Sequence, residues 1–320
     1  MALVNTKKML EKAFINKYAI GAFNVNNLET VQAVMRAAKK NNSHVILQIS
    51  QGTIKYAGIK YLINIVNESI KETDLDIALH LDHGFDFEII KSTIENGFSS
   101  IMFDGSSLSY QDNIRLTKKF CAMAHEKNIT IEAELGKLAG IEDEIKVSNK
   151  DASYTDPEQA LDFIKKTGID SLAVSIGTSH GAYKFKGEAK LDFDRLNLIS
   201  NMLEDSGIKN FPIVLHGASS IDKNYVNLCN KFGGKLSNAS GVPEEILKKA
   251  SRLSICKINI DTDLRIAMTS SIRKSFFENP ENIDPRNYLS EARDSLENVV
   301  NYKIKNILGS KGSCSVNNVN

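Results

Sequence analysis

The 320-residue sequence lacks the marks of several protein classes. No apolar run approaches the roughly 20 residues that span a bilayer, so nothing in it reads as a transmembrane helix. The opening stretch MALVNTKKMLEKAF is too polar for a signal peptide, which makes the cytoplasm the expected compartment. Charge of one sign is missing too: 40 Lys and Arg balance 39 Asp and Glu, for a net charge of +1. Such a surface has no electrostatic footprint for nucleic acid or an acidic membrane. The four cysteines, Cys121, Cys229, Cys256 and Cys314, are scattered and form no CxxC pair, as expected of free thiols in a reducing compartment. There is no internal repeat at a solenoid period and no low-complexity tract.

What is present is ordinary globular composition, 42% hydrophobic and 25% charged, arranged as strand and helix in alternation. Short apolar runs read as strands at 19–25 (AIGAFNV), 44–50 (HVILQIS), 76–82 (DIALHLD), 98–104 (FSSIMFD), 129–135 (ITIEAEL), 171–177 (SLAVSIG), 211–216 (FPIVLH) and 255–260 (ICKINI). Amphipathic helices fit at 6–18, 28–40, 56–71, 87–95, 113–127, 157–167, 193–205, 222–231 and 243–250. Asp156 is the expected N-cap and Pro157 the first helical residue of one of them. Eight strands alternating with helices at this length predict a (β/α)₈ TIM barrel. The residues after about 269 form a C-terminal helical extension. The predicted organisation is a single domain over 1–308 and a polar, disordered tail over 309–320. A polar stretch from 136 to 156 is long enough to be a lid or a mobile segment.

The stretch His80-Leu81-Asp82-His83-Gly84 ends a buried strand in two imidazoles and a carboxylate, an arrangement that is costly unless those groups have work or partners. His80 and Asp82, two apart, face one side of the strand, and Gly84 allows a sharp turn. In a TIM barrel the reactive groups sit at the C-terminal strand ends. Here those ends carry Asn24, Ser50, Asp82 with His83, Asp104, Glu134, His180, His216 and Asn259. Three neutral imidazoles with an open fourth position make a catalytic zinc site, which His83, His180 and His216 supply. His44 and His125 read as structural, and His80 as either a support for a ligand or a buried packing residue. Asp82 beside such a metal is placed for proton transfer. Asp104 and Glu134 hold a second metal position or pair with a cation. Glu132 shares a face with Glu134, so the two need a counter-ion or a shared proton. Glu142 lies in the long loop, as a reactive or merely exposed acid. Glycine- and hydroxyl-rich turns at 175–181, 216–220 and 259–262 can offer N–H groups to phosphate, with Lys184, Arg265 and Arg286 as available cations.

These residues carry a resemblance. Over nearly its whole length the chain resembles the class II, metal-dependent fructose-bisphosphate aldolases, through GAFNVNN, VILQIS, HLDHG, IEAELGKLAGIED, AVSIGTSHGAYKF, VLHGASS, KINIDTDLR and DPRNYL. The stretch KFGGKLSNASGVPEEIL resembles an insertion of the fructose-bisphosphate branch more than the shorter tagatose-bisphosphate relatives. The resemblance implies zinc on His83, His180 and His216, Asp82 as proton donor and acceptor, and a second divalent metal at Asp104 and Glu134. It implies a dihydroxyacetone-phosphate pocket from Gly181, Gly217, Ala218, Ser219, Asn259, Ile260, Asp261 and Thr262, with Lys184 nearby and Asn24 as a further substrate-binding residue. Ser50, Asp284, Arg265 and Arg286 are implied at the other phosphate, and Glu142 as an acid assisting protonation. A monovalent cation, K⁺ or Na⁺, near Gly181 and Gly217 and a homodimer or homotetramer complete the family expectation. Ala139 where the motif has glycine, and Ser107-Leu108-Ser109 after the fourth strand, depart from the pattern. The expected activity is reversible cleavage of fructose 1,6-bisphosphate, in glycolysis and gluconeogenesis. The alternatives are a tagatose-bisphosphate aldolase, a Schiff-base aldolase using Lys257, and a non-catalytic metal-binding protein on the same fold.

Overall fold

In the computed structural model, which describes residues 3–142, 145–148, 150, 152–181, 190–237 and 239–315, the apolar runs become the wall of a barrel. The strands are β1 (Ile20–Asn24), β2 (Val45–Ser50), β3 (Ile77–Gly84), β4 (Ser100–Phe103), β5 (Thr130–Leu135), the short pair β6 (Gly140–Glu142) and β7 (Ile145–Val147), β8 (Ser171–Val174), β9 (Ile213–Leu215) and β10 (Ile255–Ile260). Eight of them close in the order β1-β10-β9-β8-β5-β4-β3-β2, every neighbour parallel. The helices between and after them are α1 (Thr6–Asn16), α2 (Leu28–Asn41), α3 (Gln51–Ala57), α4 (Ile59–Lys71), α5 (Phe87–Glu95), α6 (Tyr110–His125), α7 (Pro157–Thr167), α8 (Phe193–Asp205), α9 (Lys223–Lys231), α10 (Glu244–Ser251), α11 (Thr262–Glu278) and α12 (Pro285–Lys303). This is the (β/α)₈ barrel with a C-terminal helical extension: α12 packs across α2 and α11.

The period-two alternation of the strands sorts their side chains. Ala19, Phe23, Val45, Leu47, Ile49, Ile77, Leu79 and Leu81 point outward into one large core with the helices. Ile20, Ala22, Ile46 and Ala78 point inward at the N-terminal end, where Met9, Leu10 and Ala13 of α1 close the barrel like a plug. The next inward positions, Asn24, Gln48, His80, Asp82, Glu132 and Glu134, are polar and buried. Helix ends follow local chemistry: Asn27 and Thr30 form a capping box on α2, and Asp156 caps α7 with Pro157 in its first turn.

Three local expectations change. The helix expected over 56–71 breaks at Gly58 into α3 and α4, because Gly58 adopts a positive φ of 81°. The stretch 136–156 is not structureless: β6 and β7 pair antiparallel, Gly140 opposite Val147. The tail does not begin at 309. Ser310 and Ser313 are buried, the Gly312 N–H donates to Asn41 O at 2.8 Å, and the His44 N–H donates to Ser313 Oγ at 3.0 Å. A polar sequence is held here because its hydroxyls satisfy buried backbone groups; residues 316–320 lie outside the described ones. Among the described residues no helix is long and apolar enough to cross a membrane.

Candidate active site

The site begins with an irregularity in β3. Between Leu81, opposite Ile101, and Gly84, opposite Phe103, β3 advances three residues while β4 advances two. Such a bulge re-aims side chains that a regular strand would send to opposite faces. His83 takes up the extra residue with a φ of +46°. The turn expected at Gly84 is therefore made by His83, a conformation costing about 1–3 kcal/mol that a functional site can hold in place. Consecutive residues, Asp82 and His83, consequently both face the barrel mouth.

Asp82 is clamped. Asn24 Nδ2 donates to its Oδ2 at 2.9 Å and Asn259 Nδ2 to its Oδ1 at 3.0 Å, while Gln48 Nε2 donates to Asn24 Oδ1 at 2.5 Å and fixes that amide. His83 Nε2 lies 4.0 Å from Asp82 Oδ1. On its other side His83 Nδ1 is 2.8 Å from Asp104 Oδ2, and Asp104 Oδ1 accepts from both the backbone N–H and the hydroxyl of Ser106. His216 Nδ1 is 2.9 Å from His83 Nε2, and His216 Nε2 is 2.7 Å from Glu132 Oε1. The His180 ring stands edge-on to His83, with centroids 5.3 Å apart, and 6.4 Å from His216. The three histidine rings thus gather at the mouth, although His180 belongs to neither group of donor atoms that lie close enough together to share an ion.

Beneath them Lys257, fully buried, reaches Glu132 Oε2 at 2.9 Å. This is the counter-ion that two like charges on one face of β5 require. A bulge in β10 between Ile255 and Lys257 aims it inward. The ammonium is thus committed to an ion pair. His80 lies next to it, Nε2 3.4 Å from Lys257 Nζ and Nδ1 2.8 Å from Ser100 Oγ. It is buried in this polar floor, with Nε2 3.9 Å from Glu132 Oε2.

Electrostatics assign the protons. Burial disfavours a charged His83 ring, but Asp82 and Asp104, with Glu134, outweigh it and raise its pKa to about 10. Burial and the neighbouring His83 and Lys257 charges push His216 well below the ordinary histidine value. His83 therefore donates from both nitrogens, to Asp104 and to neutral His216, which passes its own N–H to Glu132. Burial would raise Asp104, yet the bond and charge of His83 and the Ser106 donors hold it well below the carboxylate range. Glu134 is pushed far up by burial and by Asp104.

A group is implied by what this arrangement leaves over. Glu134 Oε2 is buried with no hydrogen-bond partner among the described residues, 3.6 Å from His216 Nδ1. Ligand atoms of Asp82, His83 and His216, and of His83, Asp104 and Glu134, lie within 4.8 Å of one another. Imidazole and carboxylate donors so placed fit a divalent metal of the zinc type, provided His83 gives up its proton.

The flanking loops are built to touch. His180 N–H donates to Ala139 O at 2.8 Å, joining its loop to the segment before β6. On that side a Cβ on Gly140 would lie 2.4 Å from His180 O; on the other, a Cβ on Gly217 would lie 2.6 Å from Ser179 O. Glycine at both positions lets two loops close on the Ser179–His180 backbone, one from each side. Ala139 itself, the departure from the family motif, is buried and forms an isolated parallel bridge with Ser179. Ala218 and Ser219 are buried after β9. Ser50, opposite Asp82 in register, caps α3 by accepting from Thr53 N–H.

Asn259 and Ile260 end β10, and Asp261 and Thr262 lead into α11. Arg265 Nε pairs with Asp261 at 2.8 Å. Gly181 has a φ of 85°. Asp284 and Arg286 are not brought into the cluster: they pair with each other at 2.6 Å and line a surface groove with Asn279 and Ile283. Lys184 and the Glu142 side chain lie outside the described residues. Gln48 and Ser106 were missed from sequence; the signal for Gln48 was a lone amide within VILQIS, on the same face as Ser50.

A closed parallel barrel whose C-terminal mouth gathers imidazoles and carboxylates around a clamped aspartate defines a metal-dependent (β/α)₈ enzyme. The family model "Fructose-bisphosphate aldolase class-II" matches residues 4–313. The chain is 44% identical over 315 residues to a fructose-bisphosphate aldolase of Giardia intestinalis, covering 98% of this chain and 94% of that one. It is 45% identical over 331 residues to that of Treponema pallidum, covering 98% of each. The crystal structure of the YdjI aldolase from Escherichia coli K12 superposes with a TM-score of 0.76 at 29% identity, covering 98% of this chain and 99% of that one. The chain belongs to the class II fructose-bisphosphate aldolases, metal-dependent lyases acting on sugar phosphates.

Proposed function

We propose that the protein reversibly cleaves fructose 1,6-bisphosphate to dihydroxyacetone phosphate and glyceraldehyde 3-phosphate, with Asp82 as the proton-transfer group. The observation that carries this is the Asp82 clamp. Two amide donors, from Asn24 and Asn259, hold one carboxylate group rigidly at the mouth, 4.0 Å from His83. A carboxylate accepting one bond at each oxygen keeps lone pairs for a substrate hydroxyl. Asp82 takes the C4 hydroxyl proton in cleavage and returns it in condensation. His83, His180 and His216 hold zinc, which when bound supplies the electrophile that draws charge from the C2 ketone as C3–C4 breaks.

His83 must lose its proton to serve, and Asp104 and Glu132 orient His83 and His216 through their remaining nitrogens. Asp104 and Glu134 provide the position for a second divalent ion. The Gly217–Ser219 and Asn259–Thr262 loops, with Gly181 and Lys184, grip the triose phosphate, with K⁺ or Na⁺ near Gly181 and Gly217. Ser50 and Arg265, with Asp284 and Arg286, serve the far phosphate, and Glu142 assists protonation. Asp284 and Arg286 lie outside the cluster within one chain, which suits a homodimer or homotetramer whose neighbouring subunit completes the site. The working compartment is the cytoplasm. Fructose 1,6-bisphosphate cleavage by the purified protein is expected to vanish on chelation and return with zinc. Cleavage that survives demonstrated removal of metal contradicts the proposal.

A further inference from the structure

A buried lysine outside the histidine and carboxylate cluster holds two loops of the barrel mouth. Lys303 ends α12, and its ammonium is buried. It donates to Asp263 Oδ1 at 2.8 Å and to the Ser220 hydroxyl. Burying an ammonium is costly, so its donors must be spent on something specific. Asp263 is the second residue of α11, directly after the β10 loop; Ser220 lies in the loop after β9.

The same Asp263 oxygen also accepts the Ile221 N–H at 2.9 Å. Ile221 has a φ of +52°, a region that a β-branched side chain almost never enters unless it is held there. One carboxylate oxygen therefore ties together the loop after β9, the start of α11 and the end of the C-terminal helix.

We propose that Asp263 and Lys303 are positioning residues for the triose-phosphate pocket, the C-terminal helix setting the spacing of the two loops that grip the phosphate. This rests on the assignment of the 217–219 and 259–262 loops to that phosphate. Ser220 and Asp263 each adjoin those segments in sequence, so the three-way tie fixes both loops from behind without touching the ligand. A phosphate bound by backbone N–H groups needs donors fixed to a fraction of an ångström, which two independent loops do not ensure. A cavity of about 200 Å³, lined by Ile221, Tyr225, Asp263, Tyr302 and Lys303, adjoins the pair. It offers room for a guanidinium in place of the ammonium.

The test uses zinc-loaded full-length protein and isothermal titration with dihydroxyacetone phosphate. Lys303→Met is expected to raise the Kd about tenfold or more, and to raise KM for fructose 1,6-bisphosphate with kcat within about threefold. Zinc affinity is expected to stay unchanged, although His216 begins the same loop, and Lys303→Arg to restore most of the binding. Ser220→Ala, which leaves the ion pair in place, is expected to shift the Kd in the same direction by a smaller factor, and it decides the matter if Lys303→Met does not fold. A folded Lys303→Met or Ser220→Ala with wild-type Kd overturns the proposal alone. Loss of zinc in parallel with phosphate affinity also overturns it, showing general loosening. Wild-type protein that binds zinc but not dihydroxyacetone phosphate overturns the reading of the loops, and the proposal with it.

Discussion

His83 and Glu132 show at the residue scale how a metal-ready cluster is kept in order. His83 has a pKa raised from 6.5 to about 10, after its carboxylate neighbours overcome burial. Its proton thus stabilises the metal-free fold fully below pH 6.5, and that contribution fades as pH rises through about 10. A metal on the proposed ligand His83 would have to displace this proton. Between pH 6.5 and 10, zinc uptake is expected to release about one proton from His83, and affinity to weaken about tenfold per unit as pH falls. Calorimetry in buffers of different ionisation enthalpy measures the release; uptake without protons would contradict the protonated His83. Glu132 holds His216 Nε2 and neutralises Lys257. Glu132→Gln is expected to weaken zinc binding by about 10–100-fold. It should also destabilise the fold by about 3–5 kcal/mol, because Lys257 is left buried without its charge partner. Zinc titration and urea unfolding read the two effects separately.

At the scale of elements, the site depends on a bulge and on loop contacts rather than on regular structure. The extra residue in β3 turns Asp82 and His83 to one side, and Gly217 lets the β9 loop rest on Ser179. Gly217→Ala adds a Cβ at 2.6 Å from Ser179 O on a backbone with a φ of +58°. It is expected to cost about 1–3 kcal/mol and to displace the His180 loop, lowering zinc affinity and activity together; unaltered values for both would show that the loops yield freely.

The barrel strands and most helices were legible because their apolar periods were long and bounded by caps such as Asp156-Pro157. That His83, His180 and His216 lie at one mouth was legible because barrel topology sends every strand end there; the distance of His180 from the other donors was not. The β3 bulge was not legible, since a one-residue register change leaves no trace in hydrophobicity. Nor was the β6–β7 pair, whose alternation is short and charge-rich. The packing of residues 310–313 hid because serines that satisfy buried backbone groups read as polar coil. Arg286 was legible as a cation but not as one already paired with Asp284.

For the whole molecule, a metal on the proposed ligands would link to the fold through the mouth of the barrel. The groups there come from β3, β4, β5 and the loops after β8 and β9, so a metal on the proposed ligands His83, His180 and His216 would cross-link distant parts of the chain. Zinc that binds only the native state is expected to add about 2.7 kcal/mol at a hundred times its Kd. Thermal unfolding with and without chelator reads this as a shift in Tm, and its absence would place the metal elsewhere. The α12 helix completes the barrel from outside, packing on α2 and α11.

The central claim is that Asp82 moves the proton while the histidines hold the metal. Turnover and bound zinc measured on the same preparation of Asp82→Ala separate these roles. Turnover is expected to fall by about 10²–10⁴-fold with zinc content unchanged. Turnover near that of the wild type, with zinc bound, would contradict it.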